Sequence, residues 1–326
     1  MTSKPLDERI LITGGAGYIG SVAAHILTSR GIEITVIDDC STGHPDAVPS
    51  AARFIQASLD DREAIRTALI DCTAVIHFAG KSLVAESVTH PDLYRQSNVE
   101  GSRNLLEEMY LAGISRLVFS SSASTYGEPE MLPISESAPT RPANPYGETK
   151  LAVEGMITHE GNSRGMAAIS LRYFNVAGAF AVVGGWIGER HNPETHLIPN
   201  VLQSSTENPV EIFGNDWPTP DGTCIRDYVH VVDLVEAHIL ALAKLMPSTH
   251  KIFNLGSGRG YSVREILQTA SEVMGREIPH VEAGVRQGDP AVLVADISRA
   301  KSELTWAPTR NLKHMIEDSA RAMGLL

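Results

Sequence analysis

Cysteine is scarce in this chain. Cys40, Cys72 and Cys224 stand far apart with no CxxC spacing, so the sequence encodes neither a disulfide framework nor a cysteine-based metal knuckle. Reduced thiols of a cytoplasmic protein are the expectation. Long apolar runs are missing too. One uncharged stretch, Tyr173 to Gly188, holds Asn175 and several glycines, and it falls short of the roughly 20 residues of a membrane span. Asp7 and Glu8 sit where a signal peptide would be apolar, so none is expected. Basic residues are outnumbered, 27 Lys and Arg against 39 Asp and Glu, for a net charge of −12. That balance argues against nucleic acid or an anionic membrane as partner. A phosphorylated small molecule needs only local cations. No metal site is expected.

The first half alternates short apolar runs with helical patterns. Strands are read at Ile10–Thr13, Ile34–Ile37, Arg53–Gln56, Ala74–Ala79, Leu117–Ser121 and Ala168–Tyr173. This βαβ rhythm predicts an α/β fold with a doubly wound parallel sheet. After about Asn175 the pattern changes. A Gly- and Pro-rich region with few regular periods runs to about Gly222, and helices follow at Val232–Leu245 and Ser262–Met274. The expected division is residues 1–176 as a dinucleotide-binding Rossmann domain and 177–326 as a smaller C-terminal α/β substrate domain.

Between the first strand and its helix lies Gly14-Gly15-Ala16-Gly17-Tyr18-Ile19-Gly20. Glycines there permit a tight turn and close approach of a pyrophosphate, while the helix N-terminus offers N–H donors. A Gly-rich loop alone is often only a turn. Here a strand precedes it, an amphipathic helix follows up to Gly31, and Asp38 ends the next strand, which is the context a dinucleotide site requires. A carboxylate at Asp38 suits ribose hydroxyls and repels a 2′-phosphate, so NAD is favoured over NADP. The bland alternative is a solvated strand-end acid, with Asp39 beside it.

Two further segments carry chemistry. Phe119-Ser120-Ser121-Ser122 ends a strand, and Asn144-Pro145-Tyr146-Gly147-Glu148-Thr149-Lys150 opens a helix with Asn144 as N-cap and Pro145 at the first helical position. Tyr146 and Lys150 then share a helix face. Lys150, a nicotinamide cation and the helix N-terminus all favour the phenolate of Tyr146. Ser122 can share its proton, giving an acid–base trio. Each residue singly has a bland reading; the order glycine motif, serine, YxxxK does not.

That order resembles the short-chain dehydrogenase/reductase superfamily. The stretches TGGAGYIG, VIHFAGKSLVAESV, FSSSASTYGEP, NPYGETK, LRYFNVAGA, HNPETHLIP, EIFGNDWPTPDGTCIRDYVHV, FNLGSGRGYSV and GDPAVLVAD narrow the resemblance to its UDP-galactose/UDP-glucose 4-epimerase family, across both halves. The resemblance implies Ser122, Tyr146 and Lys150 as catalytic residues. It implies cofactor contacts from Gly14, Gly17, Tyr18, Ile19, Gly20, Asp38, Phe78, Ala79, Gly80, Lys81, Asn98, Tyr146, Lys150 and Tyr173. For a UDP-hexose it implies Ser122, Tyr146, Asn175, His196, Leu197, Phe213, Arg226, Arg286, Asp289 and Leu293. An arginine fork suits the diphosphate, while surface solubility is the bland reading of the arginines and core packing that of Phe213. Two departures stand out. Ser58 replaces a frequent aspartate, and the lysine after FAG is Lys81, where relatives often have it at the position of Ser82.

The implied reaction is reversible epimerisation at C4 of UDP-galactose and UDP-glucose, through a transient 4-keto sugar and bound NADH. The alternatives are a 4-epimerase of N-acetylated UDP-hexoses or a sugar-nucleotide dehydratase or decarboxylase. The last two need a carboxylate beside the serine, where Ala123 and Ser124 stand. A non-catalytic dinucleotide sensor is a third rival, but such proteins usually lack the tyrosine or lysine. The resemblance also implies a homodimer through helices containing Leu93–Leu111 and Leu151–Ile157, with Leu105, Leu106, Met109 and Tyr110 as the motive. Leu293, in an expected strand Val292–Ala295, should border the hexose.

Overall fold

A computed structural model describes residues 8–286 and 289–326. Six strands come early: β1 (Arg9–Thr13), β2 (Glu33–Asp38), β3 (Arg53–Gln56), β4 (Cys72–His77), β5 (Arg116–Ser122) and β6 (Ala167–Tyr173). With the strand Thr249–Leu255 they form a seven-stranded sheet in the order Thr249–Leu255, β6, β5, β4, β1, β2, β3. The pairings of β1 with β2 and β4, of β2 with β3, and of β4 with β5 are parallel. Strands covered on both faces should be continuously apolar, and the last four residues of β1 and the four at the centre of β2 are all buried.

The expected boundaries shift slightly. The fourth strand ends at His77, and Phe78 and Ala79 begin the loop that leads to Gly80. The helix after the glycine loop runs Tyr18–Ser29, with Gly31 at φ +78° just beyond it. The later helices are Val231–Ala243 and Val263–Met274. Ser262 is the N-cap of the latter, in a capping box with Glu265. The region from Asn175 to Gly222 is more ordered than expected, holding a Phe180–Val182/Gly185–Ile187 hairpin, a helix Leu197–Gln203 and a strand Val210–Phe213. The Val292–Ala295 strand shrinks to Val292–Leu293.

The chain forms two compact units. The first comprises residues 1–127, 140–172 and 235–253; the second comprises 128–139, 173–234 and 254–326. The two units interleave: the chain enters the second at Glu128, returns to the first at Thr140, crosses again at Tyr173 and comes back for Val235–Phe253. Each unit has its own core. In the first, Leu11, Val75, Leu117 and Phe119 of the sheet meet Ile65, Leu105, Met109, Val153 and Ile157 of the flanking helices. In the second, Ile198, Val201, Ile212, Tyr228, Ile266 and Met315 gather. Leu105, Leu106 and Met109 are therefore turned inward, which removes them as candidates for a subunit interface. Tyr110 is 53% exposed.

Candidate active site

In the first unit, the glycine loop folds as its composition demands. Gly14 N donates to Ile37 O at 2.9 Å, and Gly17 N donates to Gly14 O at 3.2 Å. A side chain at Gly20 would lie 2.1 Å from Gly14 O, so only glycine lets the helix start this close to the turn. Gly17 caps that helix without any side-chain bond, leaving its first N–H groups for an anion. Asp38 accepts from Ala16 N at 2.9 Å and Cys40 N at 2.8 Å. Burial pushes its carboxyl above the ordinary value while those N–H groups oppose the rise. A diphosphate over the helix start with a ribose at Asp38 is the group this cradle fits. The Ser58 hydroxyl is taken up by Asp60 N at 3.1 Å.

The helix Pro145–Arg164 carries the second cluster. Asn144 Oδ1 accepts from Gly147 N at 2.9 Å, Pro145 opens the first turn, and Gly165 closes the other end at φ +76°. A side chain on Gly147 would meet Ser124 O at 2.4 Å. Glycine there lets the helix start press against the turn that follows Ser122, and so brings Tyr146 to Ser122. Ser122, Tyr146 and Lys150 are all buried. Burial pushes the Tyr146 phenol up, and its hydrogen bond with Ser122 works against that. Burial pulls the Lys150 ammonium down to about 8, with Glu154 opposing. Lys150 Nζ donates to Ser120 O at 2.9 Å and lies 5.9 Å from the Tyr146 ring centroid.

Asn98 sits in a π-helical turn, Arg95–Glu100, within the otherwise α-helical run from Pro91 to Leu111. Such turns are frequent at functional sites. Its amide clamps Lys81 from both sides: Lys81 N donates to Oδ1 at 2.7 Å and Nδ2 donates to Lys81 O at 3.0 Å. A further bond runs from Nδ2 to Thr149 Oγ1 at 3.0 Å. Asn98 thus ties the loop after β4, through Lys81's backbone, to the helix bearing Tyr146 and Lys150. Phe78 stacks obliquely on His238, ring centroids 4.7 Å apart.

The second unit gathers most of the expected substrate residues. Arg226 Nη1 donates to Pro290 O at 2.8 Å, and Nη2 lies 3.7 Å from Asp289. The Arg286 guanidinium lies 3.7 Å over the Phe213 ring, a cation–π pair. Leu293 is the parallel partner of Arg226. Asn175 Nδ2 donates to Asp227 O at 3.1 Å. His196 and Leu197, in the same unit, stand at the start of the helix Leu197–Gln203. The His196 ring contacts Glu189 at 2.8 Å and Glu194 at 2.9 Å. Burial alone would lower its pKa, but the two carboxylates raise it to about 10.

Three positioning groups were not singled out from sequence. Asp227, fully buried, accepts from Ser257 N, Gly258 N and Ala295 N at 2.6, 3.0 and 3.0 Å, so it fixes the chain beside Arg226. Its place in IRDY beside the arginine was the available signal. His77 bridges Thr13 Oγ1 at 2.6 Å and Ser102 Oγ at 2.8 Å. Ser102 donates to Asn98 O, so it accepts from Nε2–H of His77, whose Nδ1 then accepts from Thr13. Glu154 pairs with Arg172 at 2.5 Å and accepts from Ser121 at 2.6 Å, directly behind Lys150.

Residues 10–256 match the model of the NAD dependent epimerase/dehydratase family. A UDP-glucose 4-epimerase of Corynebacterium glutamicum is 48% identical over 316 residues, covering 95% of this chain and 94% of its own. The crystal structure of the UDP-glucose 4-epimerase of Brucella ovis in complex with NAD superposes with a TM-score of 0.91 at 39% identity, over 98% of each chain. The enzyme of Stenotrophomonas maltophila, with bound NAD and formylated UDP-arabinopyranose, gives 0.92 at 36% identity, over 97% of this chain and 98% of its own. The chain belongs to the NAD-dependent epimerase/dehydratase family, and within it to the UDP-glucose 4-epimerases.

Proposed function

We propose that this protein interconverts UDP-galactose and UDP-glucose by inverting C4 of the hexose through a transient 4-keto sugar, with NAD as resident cofactor. The observation that carries the reading is the buried Tyr146–Lys150 pair beside Ser122, with no carboxylate at Ala123 or Ser124. When bound, NAD supplies the acceptor and donor of the C4 hydride. Gly14, Gly17, Gly20 and Asp38 hold it at the diphosphate and ribose, and Phe78, Ala79, Gly80, Asn98 and Tyr173 contribute further contacts. Tyr146 removes the proton of the 4-hydroxyl and returns it at the end of the cycle. The Lys150 cation favours the phenolate that this requires, and Ser122 hydrogen-bonds the reacting oxygen. Arg226 and Arg286 bind the diphosphate, and Asp289 accepts from the uridine ribose. A tight grip on UDP leaves the hexose free to present either face.

Three cysteines unpaired among the described residues support a cytoplasmic enzyme; no described helix is long and apolar enough to cross a membrane. A homodimer is supported by exposed apolar side chains on the helices Val84–Thr89 to Gly101–Leu111, namely Val84, Val88, Leu93, Tyr110 and Leu111. The deciding assay feeds UDP-galactose to the protein in the presence of UDP-glucose dehydrogenase. Steady NADH formation is expected. Consumption of UDP-galactose into a dehydrated or decarboxylated product contradicts the reading.

A further inference from the structure

Four side chains with metal-ligating atoms stand on one short loop of the second unit: Glu189, His191, Glu194 and His196. The loop has neither strand nor helix, yet one donor atom from each residue lies within 4.8 Å of all the others. Glu189 Oε1 is 2.9 Å from His191 Nδ1 and 2.8 Å from His196 Nδ1. Glu194 Oε1 is 2.9 Å from His196 Nδ1. That same oxygen accepts from the backbone N–H groups of Thr195 and His196, at 2.8 Å each, so its position is set before any ligand arrives. The imidazole rings lie 5.2 Å apart, tilted by 38°. The two carboxylates are 9% and 12% exposed. A cleft of about 330 Å³ adjoins them, its lining including Glu189, Arg190, His191 and Glu194 together with Gln203 and Met323.

We propose that Glu189, His191, Glu194 and His196 bind one divalent transition cation of the zinc class. Two imidazoles and two carboxylates make a borderline donor set that suits such an ion better than magnesium or calcium, which prefer oxygen alone. A four-coordinate ion with bonds of roughly 2.0–2.2 Å spaces its ligand atoms about 3.3–3.5 Å apart. The contacts of 2.8–2.9 Å and the 4.8 Å upper bound enclose that spacing, so small side-chain rotations suffice. Both rings direct Nδ1 inward, a bound cation would displace the His196 Nδ1 proton and take its place between the two converging carboxylates, and the cleft gives an entry path. Bound metal would clasp the loop that leads into the helix Leu197–Gln203. It would also commit the His196 ring, grouped with the substrate residues by resemblance, to the ion.

The test uses the full-length protein, stripped with a chelator and titrated with Zn²⁺ and with Co²⁺ as a coloured probe. One equivalent of Zn²⁺ should bind, displacing Co²⁺ whose strong visible absorption reports four-coordinate geometry. The variants His191→Ala and Glu194→Gln, checked for folding by circular dichroism and unfolding temperature without metal, should each weaken Zn²⁺ binding by about 100-fold or more. Zn²⁺ should raise the unfolding temperature of the wild type and not of the double variant. Absence of saturable binding, or equal affinity in the variants, shows instead a hydrogen-bonded loop clasp. A pale six-coordinate cobalt spectrum in the wild type overturns the site even if a variant misfolds. The readout is metal content and colour, so it does not depend on epimerase turnover.

Discussion

At the scale of single residues, the proposed reaction turns on whether the Tyr146 proton can leave. Burial holds the phenol above its ordinary range, and the Lys150 ammonium 5.9 Å from its ring centroid together with the cofactor's cation supplies the opposing field. Tyr146→Phe keeps the ring and its packing but has no proton to move. The variant should fold, retain NAD and lose about 10²–10⁴-fold in kcat. A loss below about threefold in the coupled assay would contradict the assignment. Leu293 offers a subtler test. It is half-buried and paired with Arg226; if it borders the hexose as proposed, a side chain shorter than tyrosine would leave room for a 2-acetamido group, and weak activity on UDP-N-acetylgalactosamine is expected beside strong activity on UDP-galactose. Leu293→Tyr should reduce kcat/KM for the acetylated sugar further, by about 10-fold, while UDP-galactose turnover survives; equal losses on both would make Leu293 a packing residue. The gathering of Ser122, Tyr146 and Lys150 into one buried cluster was legible because their order along the chain is distinctive. Asp227 and His77 were not, because each acts by bonding to backbone or side chains far away in sequence, which no local spacing records.

At the scale of elements, the helix Pro145–Arg164 shows which signals a sequence carries well. Its N-cap Asn144, Pro145 and closing Gly165 are local choices with local causes, and all three can be read in advance. Asn144→Ala removes the acceptor of the Gly147 N–H and should cost about 1 kcal/mol in denaturant unfolding. Because Gly147 follows Tyr146 directly, kcat should fall with unfolding stability, whereas a stability loss with unchanged kcat would show that the cap does not position the phenol. The run Pro91–Leu111 shows what is not legible. The resemblance implies a helix containing Leu93–Leu111, but Asn98 is drawn between Lys81 and Thr149, and the backbone accommodates this with a π-turn. Tertiary demand, not periodicity, sets that turn. Likewise β4 ends early because the loop from Phe78 must turn toward Gly80.

At the scale of the whole molecule, the interleaving of the two units was hidden because it depends on which strand a distant segment joins: Thr249–Leu255 reads as C-terminal yet lies beside β6. The exposed apolar side chains from Val84 to Leu111 predict a dimer mass by light scattering at micromolar concentration; a monomer there would reject the pairing. Acid stability gives the last test. The His77 ring is buried between Thr13 and Ser102, and burial, aided by the Lys150 charge, lowers its pKa from 6.5 to about 3. His250 is held between Thr158 and Ser170, and burial lowers it from 6.5 to about 4, with Glu154 opposing. Both folded values lie below the unfolded one, so the unfolded chain takes up these protons first. Their contribution to stability is whole above about pH 6.5 and drains away as pH falls toward 4 and then 3, at up to about 1.4 kcal/mol per pH unit for each ring. Carboxylates titrate lower in the same window, so the wild-type slope alone does not isolate the histidines. His250→Gln keeps a donor and an acceptor for Thr158 and Ser170 but takes no proton. Urea unfolding of both proteins at pH 7, 6 and 5 should therefore show the variant losing less stability on acidification, by about one histidine's slope. Parallel pH profiles would mean that His250 protonates within the fold with little penalty, and that the buried ring is less isolated from water than its hydrogen bonds imply.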